Sequence, residues 1–288
     1  MLQTWDVLFL FSNSIQMWDQ VLAVGAKIYA ANLVRYVFFA GLAYLFFHVI
    51  WKSKFTHKRI QKRELESKKI AMEIGYSVAT MFIFACMGML VFIGKESGIF
   101  QNYKEIQEYG WGYFVFSIFA AIFMHDTYFY WSHRFMHLKW VFPHVHKVHH
   151  LSNNPSPWAA FSFHPIEAVM EAAIIPILLF IMPMHMLAIF IFLIYMTMMN
   201  VLGHLGYEFY PKNFLRNPIG RLNNTSTHHN MHHRLVNCNY GLYFNFWDLI
   251  MGTNHEKYQS EFERLAGQEP AKEENSIQQE GQVETAII

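Results

Sequence analysis

The sequence contains 17 histidines, and 14 of them lie between His125 and His233. Three groups are tight: His133-Arg-Phe-Met-His137, His146-Lys-Val-His149-His150 and His228-His229-Asn-Met-His232-His233. On a helix, side chains three and four residues apart share one face. That rule predicts that His133 and His137 project together, that His146, His149 and His150 do the same, and that His229, His232 and His233 follow suit. Imidazole is a good ligand for zinc, copper, iron and nickel. A lone histidine is usually a packed or surface residue, and a single HxxxH is a weak signal. Three groups at close range are different, because so many charged imidazoles would repel one another. A metal removes the conflict by binding the neutral form. Eight side chains from three helices would then surround a site of one or two metals.

The rest of the chain must position these groups. Of the 288 residues, 53% are hydrophobic and 15% charged, against about 25% charged in an ordinary soluble domain. The deficit is local, which predicts membrane spans separated by polar loops. The apolar content excludes a wholly disordered chain. Two cysteines, Cys86 and Cys238, exclude a disulfide scaffold. A net charge of +1 gives no case for nucleic acid.

Spans of roughly 20 apolar residues are predicted at 31–51, 72–93 and 111–131. The stretch 168–202 is interrupted by Pro176 and Pro183, which suits two short helices with a break. Lys52, Lys54, Lys58, Arg59, Lys62, Arg63, Lys68 and Lys69 place the loop after the first span on the cytoplasmic side. The histidine groups then also face the cytoplasm. Residues 1–30 read as a separate segment, interfacial or a further short membrane element, with no basic start for a cleaved signal. Residues 31–255 form the main domain. Residues 256–288 carry eight glutamates and read as an acidic, partly disordered tail. The expected fold is all-α: a membrane bundle of about four spans under a cytoplasmic helical cap.

The HExxH, CxxCH, Walker A and GxGxxG signatures of other chemistries are absent. A metal transporter would carry ionisable residues inside its spans, and these spans offer few. A redox metal beside a lipid-facing cavity points to oxygen chemistry on a buried hydrocarbon.

The motifs together resemble the fatty acid hydroxylase superfamily, membrane di-iron enzymes that include sterol desaturases, over roughly residues 110–255. Asp126 to His137 resembles its first histidine box, His146 to His150 the second and Thr227 to His233 the third. Phe163-His164-Pro165-Ile-Glu167, His204-Leu-Gly206-Tyr-Glu208, and Asn239-Tyr240-Gly241 with Trp247-Asp248 and Gly252-Thr253 resemble its shorter motifs. Among members, sterol C-5 desaturases look most similar.

The resemblance implies two iron ions, with zinc able to replace them in purified protein. It also implies oxidation of an unactivated C–H bond of a lipid by O2 and two electrons. His133, His137, His146, His149, His150, His204, His229, His232 and His233 inherit the ligand role. Some members carry a histidine where this chain has Glu208, so Glu208, His164 or His228 is expected either to complete the ligand shell or to support it. Asp126 is expected to orient a ligand imidazole or to pair with Arg134. His125 reads as structural, and His48 as interfacial or surface. Trp131, Phe135, Trp158, Phe161 and Phe163 are candidates for a lipid pocket. No electron-transfer domain is evident, which implies a separate donor such as a ferredoxin or cytochrome. A membrane zinc hydrolase and a non-catalytic metal-binding protein are the alternative classes.

Overall fold

A computed structural model describes residues 4–269, with the backbone alone for 4–16. Twelve α-helices dominate these residues. Helix α1 (Thr4–Tyr44) continues as a π-helical turn, Leu45–Ile50. The segment expected to be separate up to residue 30 is therefore continuous with the first span. After α2 (Lys52–Phe55) and the basic loop comes α3 (Ser67–Glu96), then α4 (Gly110–Met136). The single turn α5 (Phe142–Val145) leads to α6 (Pro165–Ala172), α7 (Ile174–Ile181) and α8 (Met186–Gly203). The last four are α9 (Pro218–Arg221), α10 (Ser226–Leu235), α11 (Phe246–Met251) and α12 (Tyr258–Ala266).

The interrupted stretch breaks twice. Pro176 lies in the first turn of α7, where its missing N–H costs little. Its ring would clash with the carbonyl four residues back, and that residue, Ala172, ends α6. The second break follows Met182, which is extended at φ −145° and leads into Pro183. Two strands of two residues close that far end: β1 (Asn102–Tyr103) pairs in parallel with β2 (Met184–His185).

Among the described residues, three helical segments are long and apolar enough to cross a membrane: Met17–Ile50, Ser67–Glu96 and Met186–Gly203. Large apolar side chains on them face outward, including Val34, Phe38, Phe82, Leu90 and Phe190, as lipid contact requires and water would not favour. The expected span 111–131 forms α4, whose two sides differ. Phe116, Phe119 and Phe123 are exposed on one side, while Ser117, His125, Asp126 and His133 are buried on the other.

The main core lies where α1, α3, α4, α7 and α8 converge, around Tyr36, Met81, Ala121, Leu178 and Phe192. A smaller cluster of Leu215, Met231, Tyr258, Phe262 and Ala266 fastens α12 beneath α10. Part of the segment expected as a tail from residue 256 thus forms a packed helix, and residues 270–288 lie outside the described part. His48, expected to be interfacial or at the surface, is half-buried in the π-helical turn. Its Nε2 donates to the Leu205 carbonyl at 2.9 Å, tying α1 to the segment after α8.

Candidate metal centre

The nine histidines meet in two groups. His133, His137, His146, His150 and His232 form one, and His149, His204, His229 and His233 the other. Within each group every residue offers a nitrogen within 4.8 Å of the others. The groups adjoin, with the His150 and His233 rings 4.9 Å apart at their centroids.

Local folding explains the division. His133 sits in the last turn of α4 and His137 caps it, so one helix end delivers both. The second box is not a helix: α5 stops at Val145, and His149–Leu151 is a 3-10 turn. His146 and His150 therefore turn to the first group and His149 to the second. The third box does lie on helix α10, but His229 and His233 enter one group and His232 the other. The shared face expected for each trio is thus corrected to a wedge between two centres.

Helix α10 is polar yet buried from Ser226 to His233. Its free N–H groups are met at the start by Thr225, whose Oγ1 accepts from His228 N at 3.3 Å, and by Glu208. Glu208 Oε2 accepts from Thr227 N (3.1 Å) and Thr227 Oγ1 (2.7 Å), while Oε1 accepts from Tyr210 N (3.1 Å). An anion at a helix N-terminus is favourable. Glu208 thus holds the helix that bears the third box and lies outside both histidine groups.

Backbone carbonyls orient several rings. Nδ1 of His133 donates to Tyr240 O (2.8 Å), His204 to Asn200 O (2.8 Å) and His232 to Cys238 O (2.7 Å). A carbonyl only accepts, so each Nδ1 bears the proton and each Nε2 presents a lone pair inward. The second group shows what this requires. His204, His229 and His233 hold their Nε2 atoms 3.0–3.1 Å apart in all three pairings. His204 Nε2 is bare, so hydrogen bonds to it would need N–H on both partners, which would then face each other N–H to N–H. Any other arrangement sets lone pair against lone pair. A shared cation satisfies all three: nitrogens about 2.1 Å from one ion stand about 3.0–3.4 Å apart at ordinary coordination angles. His149 Nε2, at 3.4 Å from His204 Nε2, fits the same shell. In the first group, both ring nitrogens of His137 are buried without a partner, and a cation would engage the lone pair of one of them.

Burial first, and neighbouring imidazoles second, hold His229, His232 and His233 well below their ordinary pKa. His150 is pushed down to about 3 by the same causes. The rings are neutral near pH 7, the form a metal binds.

Of the other expected site residues, His228 lies with Nε2 3.3 Å from Asp248 Oδ2, outside both groups. Half-buried His164 caps α6, its Nδ1 accepting from Ile166 N at 3.3 Å. Asp126 neither orients a histidine nor pairs with Arg134. Its Oδ1 accepts from Tyr243 N (2.8 Å) and Phe244 N (3.1 Å), pinning the closing loop to α4. That loop carries Tyr240, whose carbonyl orients His133. Asp248 clasps the same loop through Tyr240 N (2.9 Å) and Gly241 N (2.7 Å). A Cβ on Gly241 would stand 2.6 Å from Phe244 O, so the approach demands glycine.

In the sequence, Glu167 stands out only as part of the Phe163–Glu167 motif. Its Oε1 lies 2.7 Å from His146 Nδ1, and both side chains are buried. This is the carboxylate–histidine arrangement that orients metal ligands. Burial, then Glu171, pushes the Glu167 carboxyl well above its usual range, and a cation on the far side of the imidazole favours the carboxylate.

A cavity of about 290 Å³ runs between the helices below the histidines. Phe129 and Phe163 line it, and they pack against His133 (4.9 Å) and His149 (5.3 Å). Phe161 lines it too. Trp131 and Phe135 instead face outward, and Trp158 packs on Tyr36.

Fold and site define a helical, multi-pass membrane protein with a histidine-built centre at the head of an apolar cavity. Residues 118–253 match the fatty acid hydroxylase family model, and the chain carries that domain. Among its relatives, lathosterol oxidase of Rattus norvegicus is 28% identical over 258 residues, covering 86% of this chain and 81% of the relative. Lathosterol oxidase of Homo sapiens is 29% identical, covering 76% and 70%. A Delta(7)-sterol 5(6)-desaturase of Saccharomyces cerevisiae is 30% identical, covering 77% and 57%. No solved structure matches the chain. The chain is an oxidoreductase that hydroxylates or desaturates a lipid in a membrane.

Proposed function

We propose that the chain binds one iron ion in each histidine group and uses O2 to oxidise a lipid of the sterol type. The observation that carries this reading is the meeting of inward-facing Nε2 lone pairs with the apolar cavity at Phe129 and Phe163. The ligand set is the nine histidines, supported by Glu167, Glu208 and Asp126. When bound, a redox-active ion pair supplies O2 activation and accepts electrons from a separate donor, such as a ferredoxin or cytochrome.

The chain's own residues do the rest. Carbonyls of Tyr240, Asn200 and Cys238 fix the tautomers of His133, His204 and His232. The cavity wall keeps water away and holds the hydrocarbon against the centre. Helix α4 makes a fourth crossing, with Phe116, Phe119 and Phe123 toward lipid. The basic loop and the centre face the cytoplasm. Glu208 N donates to Lys58 O at 3.0 Å, so that loop and the third box lie on one side. The sterol preference follows the relatives' substrates.

Metal analysis of protein purified without added metal, joined to lipid mass spectrometry, tests the proposal. One iron per histidine group is expected, with a lipid that gains an oxygen atom or loses two hydrogens. His149→Ala and His232→Ala should abolish the product. Zinc at both groups with unchanged turnover in the absence of air would favour hydrolysis. Lipid profiles indifferent to both substitutions would favour a non-catalytic role.

A further inference from the structure

The aromatic residues around the centre are sorted by how easily they lose an electron. Apart from His125, those lining the cavity are all phenylalanine: Phe84, Phe92, Phe129, Phe161 and Phe163. Among the described residues, the second histidine group meets only Phe163 besides other histidines, against His149. The first group differs. Tyr240 packs on His137, His232 and His133, with ring centroids 5.2, 5.6 and 5.8 Å away. Tyr130, buried in α4, lies 6.3 Å from Tyr240. Trp131 and Trp247 lie 5.4 and 5.9 Å from Tyr130, and 5.5 Å from each other. Trp131 is exposed. Phenylalanine resists one-electron oxidation, whereas tyrosine and tryptophan undergo it most readily among aromatic side chains. A line of oxidisable rings thus runs from the first group to the surface, and none of them lines the cavity. Tyr130 also has an outlet for its proton. A carboxylate only accepts, so Thr253 Oγ1 donates to Asp248 Oδ1 (2.6 Å) and accepts from the Tyr130 hydroxyl (2.9 Å).

We propose that Tyr240, Tyr130 and Trp131 form a one-electron relay that discharges the centre when O2 is activated with no lipid in the cavity. The inference rests on the iron and O2 reading above and adds a protective function to it. Lipid oxidation takes two electrons from the donor and two from the lipid. Without a lipid the second pair is missing, and the oxidising power falls on the ligand histidines. Tyr240 then passes one electron inward and regains it from Tyr130. Tyr130 is oxidised by one electron in all, and the centre is reduced by one. An oxidised phenol is a strong acid, so its proton moves to Thr253 Oγ1 while the Thr253 proton passes to Asp248, which becomes a carboxylic acid. The Arg134 guanidinium lies 5.8 Å from the Trp131 ring and disfavours positive charge there. The radical therefore rests on Tyr130. A small reductant at the surface, a thiol or ascorbate, returns the electron through Trp131, and the proton runs back. A second pass completes the reduction of O2 to water, with the water protons taken from solvent. The direction is fixed by chemistry: an electron cannot rest on these rings on its way in, but an electron deficit can rest on them on its way out.

The test uses the purified, iron-loaded full chain, reduced and then mixed with O2 in the absence of lipid. Samples frozen at successive times are read by electron paramagnetic resonance, and the ligand peptides by mass spectrometry. Wild type should show an organic radical whose splitting collapses when the protein carries ring-deuterated tyrosine. Tyr130→Phe should remove it. Tyr240→Phe, which keeps the carbonyl that orients His133, should lower its yield and raise oxygen addition to the histidines of the first group. Ascorbate should quench the radical more slowly after Trp131→Phe. Iron content equal to wild type marks each variant as folded. If Tyr130→Phe loses its metal, Thr253→Val takes its place, keeping the ring and closing the proton outlet, with the same loss expected. Wild type that consumes O2 without a tyrosine radical overturns the inference. So does a radical that survives in metal-loaded Tyr130→Phe or Thr253→Val, or a yield unchanged by Tyr240→Phe. Quenching as fast in Trp131→Phe as in wild type overturns Trp131 as the exit. Iron-loaded protein that consumes no O2 overturns the reading beneath the inference, and the inference with it.

Discussion

The Glu167–His146 contact allows one histidine group to be disturbed while the other is left alone. Oε1 and Nδ1 are 2.7 Å apart, and both side chains are sealed from solvent. Glu167→Gln keeps an oxygen acceptor in place and removes its charge. Glu167→Leu removes the acceptor, strands the Nδ1–H and frees the ring to turn. A charge-assisted hydrogen bond is roughly twice as strong as a neutral one. Partners of this kind are worth about 10- to 100-fold in metal affinity, or about 1.4–2.8 kcal/mol. The expected loss is therefore about tenfold for Glu167→Gln and about a hundredfold for Glu167→Leu. It falls on the group of His133, His137, His146, His150 and His232, because His146 belongs there. Chelator competition on purified protein, followed by metal analysis, should resolve two steps. The step belonging to the His146 group should move by these factors while the other stays, with unchanged helical circular dichroism for Glu167→Gln. Equal movement of both steps, or of neither, would refute the assignment of Glu167 as the orienting partner of one group.

Three further outcomes follow from the same contacts. Burial holds His150 down to about 3 when folded, while an unfolded imidazole titrates near about 6.5. Between those values the unfolded chain binds more protons, so stability falls as pH drops below about 6.5, by up to about 2 kcal/mol near pH 5 for this ring. Chelator-treated protein should show a falling thermal midpoint over that range, and a flat profile would count against neutral buried histidines. Asp126→Ala strands the N–H groups of Tyr243 and Phe244 and should cost on the order of 3 kcal/mol, read as the thermal midpoint in detergent. Asp126→Asn should cost less than half as much. Gly241→Ala forces a Cβ against Phe244 O and Asp248 Oδ2. It should cost about 1–3 kcal/mol and lower the iron content through His133, whereas wild-type iron and midpoint would show that the loop has room.

The gathering of the histidines was legible in the sequence, and their division was not. Three- and four-residue spacing says which side chains emerge near one another, and that is enough to bring His229, His232 and His233 into one neighbourhood. An α-helix turns about 100° per residue, so His233 stands about 40° from His229 while His232 stands about 60° to its other side. Residues that count as one face in a pattern therefore form a wedge about 100° wide, enough to serve two ions. In the second box the helical rule misled, because the 3-10 turn at His149–Leu151 changes the angular step. Glu167 was visible as a motif, but its partner lies 21 positions away across a break in helix, and no local spacing encodes that contact. Asp126 reaches backbone groups 117 and 118 positions away, and backbone N–H groups leave no trace in side-chain patterns. The resulting division of labour has a physical cause. Ligands recur on short local elements because one turn can present two nitrogens to one ion. The groups that set tautomer and angle come from distant backbone and carboxylates, because a hydrogen bond along the far side of a ring must approach from outside the element that bears it. A centre of this kind shows its ligands in the sequence and hides the scaffold that aims them.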